Sequence, residues 1–231
     1  MLARPINTLF ILASVDGKIS TGDNDVMDAG EDLQAIRGVK EGFGQYFDIE
    51  KTTDSWSLNT GRVMAKAGVN RAKRAPNKVH TSYIIIDNKP HLALSGLRFI
   101  ANTCDKLILV TENKEHPAFH TKINNMEVIR YSSKKGFTKL FEQLKKEQDV
   151  KFITVQSGGT LNSALIREGL IDYVSLIIAP ALIGGKDTST IMDGESLHVK
   201  SELKKIRALK LLENKILDNS YLHLIYEVLN T

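Results

Sequence analysis

The sequence predicts an α/β protein with a mostly parallel central sheet and an antiparallel edge at its C-terminal end. Short apolar runs alternate with segments of helical periodicity, which is typical of a parallel sheet covered by helices on both faces. Residues 152–186 form a clear strand–turn–helix–strand unit. The final run, 221–229, alternates between two faces after the turn residues at 218–220, which predicts an antiparallel pair with 206–213.

The remaining elements follow from apolar periodicity. An apolar run at 6–13 predicts the first strand, and no small-residue cleavage site follows it, so we do not expect a signal peptide. Residues 21–32 are acidic and glycine-rich and predict a loop, and residues 31–53 are weakly helical, with glycines that interrupt any clean period. Further strands are expected at 83–86, 107–110, 128–129, 152–155 and 174–178, and helices at 63–67, 97–101, 137–144 and from Leu161 to a stop at Gly169.

Composition indicates a soluble globular protein and excludes several classes. The 231 residues can form one large domain or two small ones, and we expect a single domain over residues 1–231. No run approaches ~20 apolar residues, so no membrane helix is expected. The net charge of +4 comes with basic clusters that are interleaved with other residues, so no nucleic-acid partner is expected. A single cysteine, Cys104, excludes an internal disulfide and fits a reducing cytoplasm.

Two histidines at helical spacing do not predict a metal site. His116 and His120 lie four residues apart, which can place both on one helix face. A zinc site needs at least a third ligand, and the intervening residues lack the His-Glu-x-x-His pattern. We therefore expect no bound metal.

The glycine turn at 157–160 offers an anion-binding site. Gly158 and Gly159 carry no Cβ, so a ligand can approach the backbone closely. The first amides of the following helix lack internal acceptors, and with the helix dipole they suit a pyrophosphate. Thr160 can cap the helix or bond a phosphate oxygen through its hydroxyl. A tight connection with an ordinary cap is the alternative, because one Gly-Gly turn is common.

The residues after this turn carry a family resemblance. Gly158-Gly159, Leu161, the corner Gly169-Leu170-Ile171-Asp172, Pro180 and Gly184-Gly185 follow one another in this order. The string resembles the dihydrofolate-reductase-like family that includes the C-terminal reductase domain of the bacterial riboflavin-biosynthesis deaminase–reductase. The resemblance implies a dihydrofolate-reductase-like three-layer α/β/α fold, with a mostly parallel central sheet and an antiparallel C-terminal edge.

The same resemblance implies a nicotinamide and substrate site after the first strand. The segment there is similar to a family segment in which Ala13 and Ile19 face the nicotinamide, while Ser14 and Asp16 lie toward the substrate. Asp16 is the implied catalytic carboxylate, for orienting or protonating the acceptor. Ser157 takes the place of the family's acidic residue before the two glycines and is assigned to the substrate. A plain turn after the strand is the alternative.

A second set of residues is implied for the cofactor phosphates. Thr60-Gly61-Arg62 resembles the Gly-Arg pair that opens a helix beside the phosphates in this family, where a guanidinium gives two parallel donors. The pyrophosphate would lie between this turn and Gly158, Gly159, Thr160 and Leu161. Thr111, at the predicted end of a strand, is expected beside the cofactor, and Lys114 is a further candidate for a ribose 2′-phosphate. For Arg62, a plain surface charge is the alternative.

These features together predict an NADPH-dependent reductase of the riboflavin-biosynthesis type, which orients a hydride donor and a small acceptor at close range. The familiar family member reduces the ribosyl group of a 5-amino-6-ribosylaminopyrimidine 5′-phosphate, the uracil compound 5-amino-6-(5-phosphoribosylamino)uracil. Reduction of dihydrofolate, a pterin or another small molecule stays open, as does a non-catalytic nucleotide-binding role. A homodimer is also expected, because the apolar strand 221–229 would be a liability as a bare edge and relatives pair through this part of the sheet.

Overall fold

The structure is a computed structural model that describes residues 3–73, 78–132 and 136–230. Contacts between residues divide the chain into two compact units. Unit 1 contains Met1–Pro5 and Asp54–Ser157, and unit 2 contains Ile6–Thr53 and Gly158–Thr231. A single domain over the whole chain stays a prediction.

Strands and helices alternate through most of the chain. The strands are Ile6–Ser14 (β1), Trp56–Thr60 (β2), Ser82–Ile86 (β3), Leu107–Thr111 (β4), Met126–Arg130 (β5), Phe152–Val155 (β6), Tyr173–Ala179 (β7), Ala208–Ile216 (β8) and Leu222–Leu229 (β9). The α-helices are Ala29–Asp32 (α1), Gly44–Glu50 (α2), Gly61–Lys66 (α3), Leu94–Thr103 (α4), Gly136–Gln148 (α5) and Gly159–Arg167 (α6). Every strand that the sequence predicts is present, so the predicted alternation is confirmed.

Unit 1 is a parallel sheet with strand order β5-β4-β3-β2-β6. Because every pair is parallel, the carboxyl ends of β2, β3 and β4 meet at one edge, which places Thr60, Ile86 and Thr111 there. Helix α4 buries Leu97 and Ile100 in the apolar core of this unit. The loops that could hold a ligand in unit 1 therefore leave the sheet from this edge.

Unit 2 pairs β1 with β7 in parallel, and β9 then lies antiparallel between β7 and β8. The parallel pair brings Ser14 opposite Ala179 at the carboxyl ends of both strands. Phe43 and Phe10 belong to one buried apolar cluster, and Tyr46 of α2 stacks on Phe10 with ring centroids 5.2 Å apart. The weakly periodic region before residue 53 thus supplies short helices that cover the sheet of unit 2.

Two expectations about the strands need correction. The sequence does not predict β2, because the polar residues Ser57 and Asn59 interrupt its apolar character. In the structure both are buried, and they are satisfied by each other and by Gln156. Ser57 Oγ donates to Gln156 Oε1 at 2.8 Å, and Asn59 Nδ2 donates to Ser57 Oγ at 2.9 Å. The predicted antiparallel pair of 206–213 with 221–229 is confirmed, but the edge available for dimerisation is not 221–229, because β8 covers β9 and is itself exposed along its whole length.

Candidate functional site

The turn that follows β1 is held by the Ser14 hydroxyl. Ser14 Oγ donates to the Asp16 carboxylate at 2.5 Å and accepts the amide of Lys18 at 2.9 Å. Gly17 has a left-handed φ of 76°, a conformation that glycine adopts without a side-chain clash. The turn therefore has a fixed shape at the end of a strand, where α/β proteins place ligand contacts.

The Asp16 carboxylate anchors a second segment, the loop 183–193. It accepts the amides of Ile183 at 3.1 Å and Gly184 at 2.6 Å, in addition to the Ser14 hydroxyl. The Ser14 hydroxyl, followed by the two amides, lowers the pKa of Asp16 from 3.8 to about 2. A carboxylate that is ionised at neutral pH can orient a substrate but is a poor proton donor. Of the two roles that the sequence leaves open for Asp16, the geometry supports orientation.

Lys18 ties the same loop to the turn. Its Nζ donates to the carbonyl of Gly185 at 2.6 Å and to that of Thr188 at 2.9 Å. A backbone hydrogen bond of 3.1 Å also joins Ile191 N to Gly17 O. Sequence reasoning does not single out Lys18, because its partners lie 167 and 170 positions further along the chain. No local pattern distinguishes such a lysine from a surface charge.

The first turn of α6 presents backbone amides. Gly158 is the N-cap in an extended conformation, with φ −75° and ψ 160°, and its carbonyl accepts the amides of Leu161 (3.0 Å) and Asn162 (3.1 Å). The amides of Gly159 and Thr160 are left without a preceding helix carbonyl. A Cβ at Gly158 would meet nothing within 4 Å, so the space beside Gly158 is open. This arrangement fits an anion such as a pyrophosphate.

The two glycines of this turn have different roles. A Cβ on Gly159 would lie 2.3 Å from the Thr190 carbonyl oxygen and 2.5 Å from Asp193 Oδ2. Asp193 N donates to Gly159 O at 3.0 Å, and the Asp193 carboxylate accepts the amide and hydroxyl of Thr190. The loop 183–193 thus fills this side of Gly159, and packing requires the glycine. The expected ligand approach over both glycines is corrected to an approach over Gly158 alone.

The other residues expected near the nicotinamide and pyrophosphate lie in unit 2. Thr160 is exposed at the second position of α6 and does not cap it, because Gly158 occupies the cap; the predicted capping role is wrong. Leu161 and Ile19 are half-buried. Ala13 is 2% exposed, so little of the residue is accessible to a ligand.

The turn after β2 in unit 1 begins helix α3. Thr60 is the N-cap, and its hydroxyl oxygen accepts the amide of Val63 at 3.3 Å. Gly61 is buried, and a Cβ on it would lie 2.2 to 2.6 Å from the carboxyl atoms of Asp87. Arg62 is exposed directly after this close contact. The glycine is therefore fixed by packing, and the arginine is the residue of this turn that suits a phosphate.

Thr111 and Ser157 are both buried, at 0% and 5% exposure. The Thr111 hydroxyl donates to the Asp87 carbonyl at 2.8 Å and accepts the amide of Asn113 at 3.1 Å. These bonds give the hydroxyl a structural role in place of the cofactor contact that the sequence predicts. Ser157 follows β6 and directly precedes the open glycine at 158.

Within residues 3–73, 78–132 and 136–230, no group of three or more His, Cys, Asp and Glu side chains could hold a metal ion. His116 is fully buried and His120 is exposed, and the two belong to a short 3-10 turn instead of one α-helix face. Over the same residues, no helix has the length and apolar character to cross a membrane.

The chain matches known proteins over most of its length. A family model described as the RibD C-terminal domain matches residues 5–211. A curated relative from Archaeoglobus fulgidus is named 2,5-diamino-6-ribosylamino-4(3H)-pyrimidinone 5′-phosphate reductase. It is 24% identical over 217 residues, which cover 88% of this chain and 93% of the relative.

Solved structures show the same fold. RibD from Acinetobacter baumannii matches with a TM-score of 0.68 at 16% identity; the match covers 99% of this chain, which spans 59% of that longer one. The riboflavin biosynthesis reductase Rib7 from Saccharomyces matches with a TM-score of 0.61 at 16% identity, over 99% of this chain and 91% of that chain. The predicted three-layer α/β fold, with mostly parallel strands and an antiparallel C-terminal edge, is confirmed.

Proposed function

The chain belongs to the RibD C-terminal domain family, and we propose that it is an NADPH-dependent reductase that acts on the ribosyl group of a phosphorylated ribosylaminopyrimidine. That it is a reductase of the riboflavin-biosynthesis type follows from the family match over residues 5–211 and from the reductase named in the curated relative. The resemblance that the sequence carries is thereby confirmed. The cofactor and the substrate are the parts that we add.

The preferred substrate is taken from the curated relative. That relative is named for 2,5-diamino-6-ribosylamino-4(3H)-pyrimidinone 5′-phosphate. The uracil compound expected from the sequence differs in carrying a carbonyl group in place of the 2-amino group. We assign the diamino compound to this chain, because chain and relative match over 88% and 93% of their lengths.

The open N-terminus of α6 is the observation that carries the cofactor assignment. The amides of Gly159 and Thr160, together with the dipole of a nine-residue helix, suit the pyrophosphate of a dinucleotide. The open face at Gly158 permits a close approach. For the exposed Arg62 of unit 1 we propose contact with a cofactor phosphate, because a guanidinium binds phosphate oxygens in pairs. Bound NADPH supplies a hydride from its nicotinamide ring.

The chain's own part in the reaction is orientation. Reduction of the ribosyl group adds one hydride to carbon and one proton to the heteroatom. Asp16 is fixed by Ser14 and the loop 183–193, so its ionised carboxylate can hold a donor group of the substrate in one place. Because the pKa of Asp16 is about 2, we assign the proton to water at the exposed turn and not to this carboxyl group.

A substrate panel tests this function. The purified chain is mixed with NADPH and, separately, with the diamino pyrimidinone phosphate, its uracil counterpart and dihydrofolate. We expect the diamino compound to be reduced fastest, with a product that gains two hydrogens by mass spectrometry. Turnover of dihydrofolate alone would contradict the substrate assignment. NADPH binding without turnover of any acceptor would favour a nucleotide-binding protein that is not a reductase.

We also propose a homodimer, now through β8. This strand lies at one end of the strand order in unit 2, and its Leu209, Leu211 and Ile216 are 48%, 47% and 88% exposed. These three lie opposite Val228, Tyr226 and Leu222 of β9, so they share one face of the sheet. An exposed apolar edge of this kind favours pairing with a second copy.

For localisation we propose the cytoplasm, since the one cysteine fits a reducing compartment.

A further inference from the structure

A buried carboxylate joins several loops at the carboxyl edge of unit 1. Asp87 follows β3 and is 1% exposed. Its Oδ1 accepts the backbone amide of His91 at 3.2 Å and the ring Nδ1 of His91 at 2.9 Å. Its Oδ2 accepts the amide of Leu92 at 3.0 Å and Nε2 of His116 at 3.3 Å. Each carboxylate oxygen therefore takes two N–H donors.

The proton positions on both imidazole rings follow from these contacts. His116 Nδ1 accepts the amide of Ala118 at 3.1 Å, so its Nε2 carries the proton and donates to Asp87. His91 Nδ1 faces an oxygen that can only accept, so it also carries a proton. An asparagine at position 87 would turn its NH₂ group toward two N–H donors in either orientation, so it would disturb the cluster whichever way it points. The His91 amide would keep its 2.6 Å bond to the Lys89 carbonyl, whereas a carboxylate accepts all four donors at once.

Asp87 also touches the loops after β2 and β4. A Cβ on Gly61 would lie 2.2 Å from the carboxyl carbon of Asp87, so the first residue of α3 packs directly on this group. The Asp87 carbonyl accepts the Thr111 hydroxyl at 2.8 Å, and His116 reaches the carboxylate from the segment that follows β4. Three loops therefore meet at one side chain.

We infer that Asp87 is a positioning residue, which sets the place of the turn at Gly61 and, through it, of the neighbouring Arg62. Gly61 has no side chain that could adjust, so a shift of the carboxylate toward it would displace the backbone that carries Arg62. Asp87 itself is nearly inaccessible, and both of its oxygens are occupied by protein donors. Its effect on a ligand is therefore indirect. This inference rests on the proposed function, in which Arg62 contacts a cofactor phosphate.

Calorimetric titration of NADPH into single and double variants tests this route. Asp87→Asn is expected to weaken binding about tenfold in the wild-type background and less than about threefold in an Arg62→Ala background, because the effect passes through Arg62. Asp105→Asn is the matched control. Asp105 also pairs with a histidine, His80 at 3.5 Å, but its side chain is 43% exposed, and its variant should bind NADPH like the wild type.

Gly61→Ala is the second variant, in case Asp87→Asn does not fold. It adds one methyl group against the same carboxylate at a position where alanine suits a helix, and it should reproduce the loss. Unchanged binding in both variants, or equal losses in both backgrounds, would overturn the inference.

A wild-type chain that does not bind NADPH would overturn the proposed function instead. The inference is then judged by hydrogen exchange at the Val63 amide, which is bonded to the Thr60 cap. Asp87→Asn should speed this exchange about tenfold and Asp105→Asn should not. Equal exchange rates in the two variants would overturn it.

Discussion

Asp16 shows how one carboxylate can be committed to structure and still serve a reaction. Its three donors come from Ser14 and from the loop 183–193, so the negative charge holds two distant segments together. The side chain stays exposed at the turn, where a substrate group can reach it. The same hydrogen bonds that fix its position lower its pKa to about 2, so position and ionisation have one cause.

Asp16 should make stability depend on pH in acid. Its pKa in the folded chain is about 2, below the ordinary value of 3.8, so its contribution is fully present above about pH 4 and is lost as the pH falls toward about 2. We expect Asp16→Asn to be less stable than the wild type at neutral pH and to lose less stability over this interval, as measured by chemical denaturation. Glu202, whose pKa Lys205 also lowers to about 2, contributes to both curves, so their difference isolates Asp16. Parallel curves would contradict this assignment.

At the scale of elements, the N-terminus of α6 is shaped by a loop that begins 24 residues after its first residue. The loop 183–193 fills the space beside Gly159 and leaves the space beside Gly158 open. It is also bonded to Lys18 and Asp16 after β1. The loop 183–193 therefore contacts both the N-terminus of α6 and the turn after β1, and it fixes the position of one relative to the other within unit 2.

The two glycines can be separated by substitution. Gly159→Ala should lower the free energy of unfolding by about 1–3 kcal/mol, because the new Cβ would meet the Thr190 carbonyl oxygen at 2.3 Å. Gly158→Val should leave the melting temperature unchanged and weaken NADPH binding about tenfold or more, because its side chain would enter the open face. Thermal unfolding and calorimetric titration measure the two effects. Full NADPH affinity in Gly158→Val would argue against the α6 anion site.

Local patterns predict most of the elements, and the exceptions have a physical reason. Strands such as β4 and β7 can be predicted from the sequence, because most of their side chains are apolar and favour burial whatever their neighbours are. Strand β2 is not predicted, because Ser57 and Asn59 are acceptable in a buried strand only through partners such as Gln156, which directly follows β6. The strand order of the C-terminal part also depends on which strands pair. Alternation within 221–229 predicts a strand there, but it does not predict that β9 lies between β7 and β8.

At the scale of the whole molecule, the same limit applies to the candidate site. The turn after β1 and the glycine turn are predicted well, because family resemblance and local chemistry both mark them. The role of Gly61 depends on Asp87, which is 26 positions away, and that of Gly159 on Thr190, which is 31 positions away. A glycine in a sequence indicates that a side chain is not tolerated at that position. Only the fold shows whether a ligand or another part of the protein occupies the space where the side chain would be.

The oligomeric state is a property of the molecule that one substitution can probe. Light scattering at micromolar concentration should give the mass of a dimer for the wild type. Leu211→Lys should give a monomer, because it places a charge among the exposed apolar residues of the edge strand. Glu213→Gln, on the opposite face of β8, is the control and should stay dimeric. A monomeric mass for the wild type would contradict the proposed dimer through β8.

Transfer of deuterium tests the proposed reaction most directly. NADPH that is dideuterated at nicotinamide C4 is incubated with the wild-type chain and 2,5-diamino-6-ribosylamino-4(3H)-pyrimidinone 5′-phosphate, and the product is analysed by mass spectrometry. A hydride transfer predicts one deuterium on carbon in a ribityl product, and much less product from Gly158→Val. Oxidised cofactor without labelled product, or no oxidation at all, would contradict the assignment of this chain as an NADPH-dependent reductase of that substrate.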